Sequence, residues 1–107
     1  MKIKISDIKM IDGMPFPEIQ AYSFKEEKWE YIITSLINQY NDGKRNFFEM
    51  SSQIHSMYRV QTFVKNFKEG TYVPPIIILS DLRLWDGRHR IWAAILCGIT
   101  EIDGEIK

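Results

Sequence analysis

The stretch Leu84-Trp85-Asp86-Gly87-Arg88-His89-Arg90-Ile91-Trp92-Ala93-Ala94-Ile95-Leu96-Cys97-Gly98 decides how this chain is read. Leu84 and Trp85 suit the end of a strand, and Asp86-Gly87 is a turn dipeptide. The helix that follows is apolar almost all round, because Ile91, Trp92, Ala93, Ala94, Ile95 and Leu96 leave hardly any polar face. Such a helix is packed on most sides. Its first turn differs, since Arg88, His89 and Arg90 crowd where free backbone N–H groups and the helix dipole favour an anion. A charged turn on a buried helix belongs at the rim of a pocket. Gly87 lacks a Cβ and lets a ligand approach its backbone. Arg88 and Arg90 offer forked donors matched to phosphate oxygens. His89 exchanges a proton near neutral pH and is the candidate acid or base. Gly87, Arg88, His89 and Arg90 are therefore expected to form a phosphate-binding corner, with both guanidinium groups on one cavity. Asp86 is expected to cap the helix; the other role considered for it is a contact to Mg²⁺ shared with a nucleotide. The plainer alternative is a strand ending in Asp-Gly whose arginines are merely solvated.

Upstream, Ile76-Ile77-Ile78-Leu79 is a continuous apolar run suited to a buried strand. Ser80-Asp81 turns the chain, and residues 82–85 return as the second strand of a hairpin. Tyr72-Val73-Pro74-Pro75 must be extended, because proline disfavours helix in the residue before it. Downstream, Gly98 is a helix stop and residues 99–106 read as an edge strand, with Asp103-Gly104 as a turn or bulge. At the N-terminus, residues 2–5 alternate like a half-buried strand. Residues 18–22 suggest another short strand.

Two helices fill the middle. Ser23-Phe24-Lys25-Glu26 has capping-box spacing, and Trp29, Ile32, Ile33, Leu36, Ile37 and Tyr40 share a helical face up to the stop at Asn41-Asp42-Gly43. Asn46-Phe47-Phe48-Glu49 repeats the spacing, and helical intervals run on to Gly70, with Ser51-Ser52 as a place where the helix could divide.

The chain has 107 residues, the length of one domain spanning 1–107. Its 14 Lys+Arg balance its 14 Asp+Glu, which argues against a strongly basic DNA-binding domain. The single Cys97 excludes an internal disulfide and a cysteine-rich zinc site. Residues 1–7 lack the apolar run of a signal peptide, and no stretch is long enough to span a bilayer. A soluble cytoplasmic protein without a membrane partner is expected. The two histidines, His55 and His89, are distant in sequence with no third ligand beside them, so no metal site is expected.

Pro74-Pro75-Ile76-Ile77-Ile78, a short hairpin, Asp86-Gly87-Arg88-His89-Arg90, Ala93-Ala94 and Gly98 together resemble the ParB/sulfiredoxin superfamily. The likeness is nearest to its small ParB-like nuclease members that stand alone without a helix-turn-helix. It covers residues 73–102, and the middle third does not match. The resemblance implies an α+β fold, a mixed sheet packed against three to four helices, whose motif helix holds nucleotide phosphates. It brings CTP, ATP or ADP, with or without Mg²⁺, as cofactor candidates. Gly87, His89 and Arg90 carry over as phosphate contacts. Arg88 departs from the family, standing where partition and kinase members have a glutamate and sulfiredoxins their catalytic cysteine. Sulfiredoxin chemistry is therefore not expected.

Three functions compete. The first is a nucleotide- or phosphate-binding ParB-like domain, acting as a switch or in phosphotransfer. The second is a DNA-associated nuclease or accessory factor of a plasmid or phage, gripping backbone phosphate. His55, Arg59, Lys65 and Lys68, interleaved with Tyr58, Phe63 and Phe67, would suit a single strand. The third is a non-catalytic interaction module with a degenerate pocket, using Phe47, Phe48, Tyr58 and Phe63 as a homodimer or partner surface.

Overall fold

The computed structural model describes all 107 residues. It is α+β: a four-stranded mixed sheet with three α-helices and three 3-10 turns. The strands are β1 (Lys2–Lys4), β2 (Ile76–Ile78), β3 (Leu84–Asp86) and β4 (Glu101–Ile106), in spatial order β1-β4-β2-β3. The helices are α1 (Trp29–Asn41), α2 (Phe47–Glu69) and α3 (Arg88–Leu96).

The hairpin forms as the sequence indicates, with Ile77 opposite Asp86 and Ile78 opposite Leu84. Its turn closes through backbone bonds from Leu79 N to Arg83 O and from Leu82 N to Leu79 O, and Leu82 takes a positive φ of 70°. Four expectations need correction. Residues 101–106 are not an edge strand: β4 lies between β1, antiparallel, and β2, parallel. Short antiparallel pairing cannot reveal a second neighbour from sequence, since the crossover through α3 supplies it. Gly104 is neither turn nor bulge but continues the strand opposite Ile76. A Cβ there would overlap the Ile3 side chain and stand 3.2 Å from Ile76 Cγ1. Glycine is what lets β1 and β2 close over β4. Residues 18–22 are not a strand either; Glu18–Phe24 forms a 3-10 segment that buries Ala21. Finally, Ser23 does not cap α1, because its hydroxyl donates back to Gln20 O and α1 begins only at Trp29, after a further 3-10 turn.

The Asn46 cap does form: Asn46 Oδ1 accepts from Glu49 N, and Asn46 Nδ2 donates to Glu49 Oε1. From it α2 runs unbroken through Ser51-Ser52 to a left-handed Gly70. Neither serine interrupts the helix: Ser51 bonds back to Phe48 O, and Ser52 is exposed to solvent.

The core joins Ile3, Ile5 and Ile8 to Ile76, Ile78 and Ile102 of the sheet and Val60 and Val64 of α2. Through its centre passes α3, which buries five consecutive residues, Arg90 to Ala94. That fits the apolar circumference read from the sequence. Trp92 stacks against Phe16 and Phe24, and its indole N–H donates to Pro17 O. On α1 only Leu36 is buried, while Ile37, Tyr40, Phe47 and Phe48 stay exposed at the far end of the helical pair. No helix is long and apolar enough to cross a membrane. Gly104→Ala is expected to lower stability by about 1–3 kcal/mol, since a methyl group must displace Ile3 in a packed core. Thermal unfolding of Gly104→Ala in the parent and in an Ile3→Val background, which removes the overlapping Cδ1, measures it; an equal loss in both backgrounds would remove the packing role.

Candidate functional site

The corner at the start of α3 is built by three elements. β3 delivers Asp86, and Gly87 occupies the N-cap position with φ 121°. A left-handed backbone of this kind favours glycine. A second reason is packing: an added Cβ would stand 2.6 Å from Ile76 Cγ2. The missing side chain thus makes room for β2 beneath the turn. Asp86 is not the cap, since no side chain caps α3. Its carboxylate instead accepts from Arg90 Nη2 at 3.2 Å, one turn along.

The two arginines diverge. Arg90 is 9 % exposed and points into the protein. Its Nη1 donates to Pro75 O at 2.6 Å and to Pro74 O at 3.2 Å, and the guanidinium lies 6.0 Å from the Phe63 ring centre. The physical reason is the paired prolines. They hold residues 74–75 extended just ahead of β2, where carbonyls outside the sheet ladder are open to donors. Guanidinium supplies several in one plane. Arg90 is therefore a structural clamp, and the expected convergence of both guanidinium groups on one cavity does not occur. Arg88 goes the other way. It is exposed and lies over the Trp92 ring, 5.4 Å from its centre.

A different arginine takes the second place. Arg59 of α2, Arg88, His89 and Gly87 line one cleft of about 380 Å³. Asp86, Trp85 and Met10 complete its rim. The chain's three ion pairs are Lys2–Asp103, Arg83–Asp81 and Arg90–Asp86, so neither Arg59 nor Arg88 is ion-paired, while the Asp86 carboxylate that borders their cleft is engaged with Arg90. His89 is half-buried between them. Its Nε2 is 3.1 Å from Ser56 Oγ on α2, and its ring meets Trp92 edge-on at 5.9 Å. Burial, then the nearby positive charges of Arg59, Arg88, His55 and Arg90, depress its pKa from 6.5 to about 4. His89 is thus a neutral imidazole at pH 7, held so first by burial and then by the cations around it.

The sequence placed Arg59 in a basic and aromatic stretch but not at this corner. A helical wheel does set His55, Ser56 and Arg59 within one turn of each other, and that was the available signal. What the wheel lacks is the packing of α2 on α3. The same stretch otherwise disperses: Phe63 and Phe67 pack against the core, while Tyr58 turns to Trp29. Trp85 is 53 % exposed and carries Lys107 Nζ 3.2 Å from its ring centre. The half-buried Cys97 sits against Val64 O, and burial raises its thiol pKa. Nowhere do three or more His, Cys, Asp or Glu side chains come together as a metal-ion site.

Two outcomes follow from this geometry. Arg90→Ala orphans two proline carbonyls and is expected to destabilise the fold by about 2–4 kcal/mol, seen as an earlier denaturant midpoint. A midpoint like that of the parent would contradict the clamp. Second, because the folded pKa of His89 lies below its ordinary value, the unfolded chain binds a proton that the native state resists. His89's contribution is intact above pH 6.5 and is lost as pH falls towards about 4. His89→Gln should flatten that part of the curve of melting temperature against pH; an unchanged slope would show His89 to be freely solvated. Comparison of the chain with protein-family models, with curated proteins and with solved structures finds no match.

Proposed function

We propose that this protein binds a phosphorylated small molecule, a nucleotide in the first instance, in the cleft at the start of α3. One observation carries the reading: Arg59 and Arg88, each without a carboxylate partner, border the same concavity as the Gly87 turn. The first N–H groups of α3 have no partners within the helix and project at its N-terminus, where the dipole adds positive potential. A phosphate there would take forked bonds from one or both arginines and backbone bonds from the turn. The neutral His89, with one ring nitrogen held by Ser56, is placed to orient a phosphate oxygen or to accept a proton. Trp85 on the rim offers a face to a base. Asp86 would be the residue to hold a Mg²⁺ ion accompanying the phosphate, whose negative charge such an ion would offset, and it would then share its own charge with Arg90.

The likeness to the ParB/sulfiredoxin superfamily supports the same location, since that family seats nucleotide phosphates at the matching turn. Arg88, in place of the family's glutamate, adds a cation where a metal-assisting carboxylate would stand. The reading is therefore of binding, as in a switch, with phosphotransfer as its extension. A cleft ligand is preferred to duplex DNA because the cations surround one hollow while the chain's formal net charge is zero.

Calorimetry with inorganic phosphate, CTP, ATP and ADP, each with and without Mg²⁺, is the test. Binding is expected for at least one nucleotide, weakened about tenfold or more by either Arg59→Ala or Arg88→Ala. Bound phosphate should also raise the His89 pKa, followed by NMR, because an anion offsets the cations that depress it. No heat with any of these ligands, or affinity indifferent to both arginines, refutes the proposal.

A further inference from the structure

A second cavity of about 520 Å³ lies on the other side of Arg88, between α1, α2 and the 3-10 segment Glu18–Phe24. Its floor is apolar, from Phe24, Met57 and Trp92. Its walls carry Ser23, Ser52, Gln53 and Ser56. No Asp, Glu or Lys borders it, and Arg88 is its single charge. The Ser23 hydroxyl is engaged with Gln20 O and Ser56 with His89, whereas the Ser52 hydroxyl and Gln53 amide hold no partner in the chain.

This lining selects a ligand class. A concave apolar floor with a few convergent polar groups, at a volume within the roughly 300–1,000 Å³ of small-molecule sites, is the usual form of a specific pocket. One guanidinium matches one carboxylate, which it takes through two parallel bonds. Hydroxyl and amide walls both donate and accept, so they suit hydroxyl or carbonyl groups on the ligand body. An ammonium group would enter without any carboxylate to meet it, and an unpaired charge in a partly desolvated site is costly. A polyphosphate finds one cation here, against the two arginines and helix start next door.

We propose that this cavity is a separate site for a small hydroxy- or keto-monocarboxylate, held at its carboxylate by Arg88 and along its body by Ser52 and Gln53. It does not depend on the phosphate reading, although both draw on Arg88. The Ser56–His89 hydrogen bond forms the partition between the two hollows.

Amide and indole NMR spectra of the whole chain, titrated separately with D-glycerate, L-serine and inorganic phosphate, test the assignment. D-glycerate is expected to give saturable shifts at Ser52, Gln53 and the Trp92 indole N–H. L-serine, the same size but with an ammonium, should bind about tenfold more weakly. Ser52→Leu, at an exposed helical position, should abolish the glycerate shifts and leave any phosphate shifts at Gly87 and His89 in place. Absence of saturable glycerate shifts, shifts that survive Ser52→Leu, or serine binding as well as glycerate would each overturn the proposal. Phosphate shifts at Gly87 and His89 report on the other cleft alone, so the failure of one site is distinguishable from that of its neighbour.

Discussion

The Arg90 guanidinium holds the start of α3 to the ends of β2 and β3. It reaches from α3 to the carbonyls of Pro74 and Pro75 at the entry to β2 and to the carboxylate at the end of β3. Three separate pieces of chain are thereby fixed around one planar group. A buried cation is tolerated only when its donors are satisfied, and here carbonyl dipoles and one partly exposed carboxylate do so. Everything else at the corner follows from that constraint. Gly87 must turn tightly over Ile76, and α3 must start where its first residues are held against the sheet.

With Arg90 withdrawn into the structure, the surface charge of the corner is decided by what α2 contributes. α2 packs along α3 and brings Ser56 to His89 and Arg59 to the cleft. The depressed pKa of His89 is the result: an imidazole partly dried by burial, with cations beside it, is kept neutral. An anion entering the cleft would reverse that balance. Arg88, lying on Trp92 with no ion pair, is the one cation common to two hollows. Its stem and stacking hold it in place while its charge remains available.

Much of the framework was legible in the chain. The isoleucine run, the Asp-Gly turn and the apolar circumference of residues 91–96 carry their own periods, and they produced the hairpin and the buried helix in place. The Asn46 cap and Gly70 stop bounded α2 because capping is local chemistry within a few residues. Where local signals were ambiguous the reading failed. Ser23 had the spacing of a cap yet bonds backwards, since serine hydroxyls compete for nearby carbonyls in several geometries. Gly104 looked like punctuation, but its function is to admit Ile3 and Ile76 from two neighbouring strands.

The sequence by itself determined that a glycine turn followed by cationic side chains opens a buried helix after a short hairpin. Composition, period and turn chemistry are properties of neighbouring residues and need no fold to be read. Only tertiary structure decided which cations serve that turn. Arg88 and Arg90 differ by two positions, so on a helix they point to nearly opposite sides, and the packing of α3 sent one to solvent and the other to the proline carbonyls. Arg59, nearly thirty residues earlier, took the vacated place because α2 lies against α3. Long-range packing sets such pairings, and no local pattern in the chain encodes them.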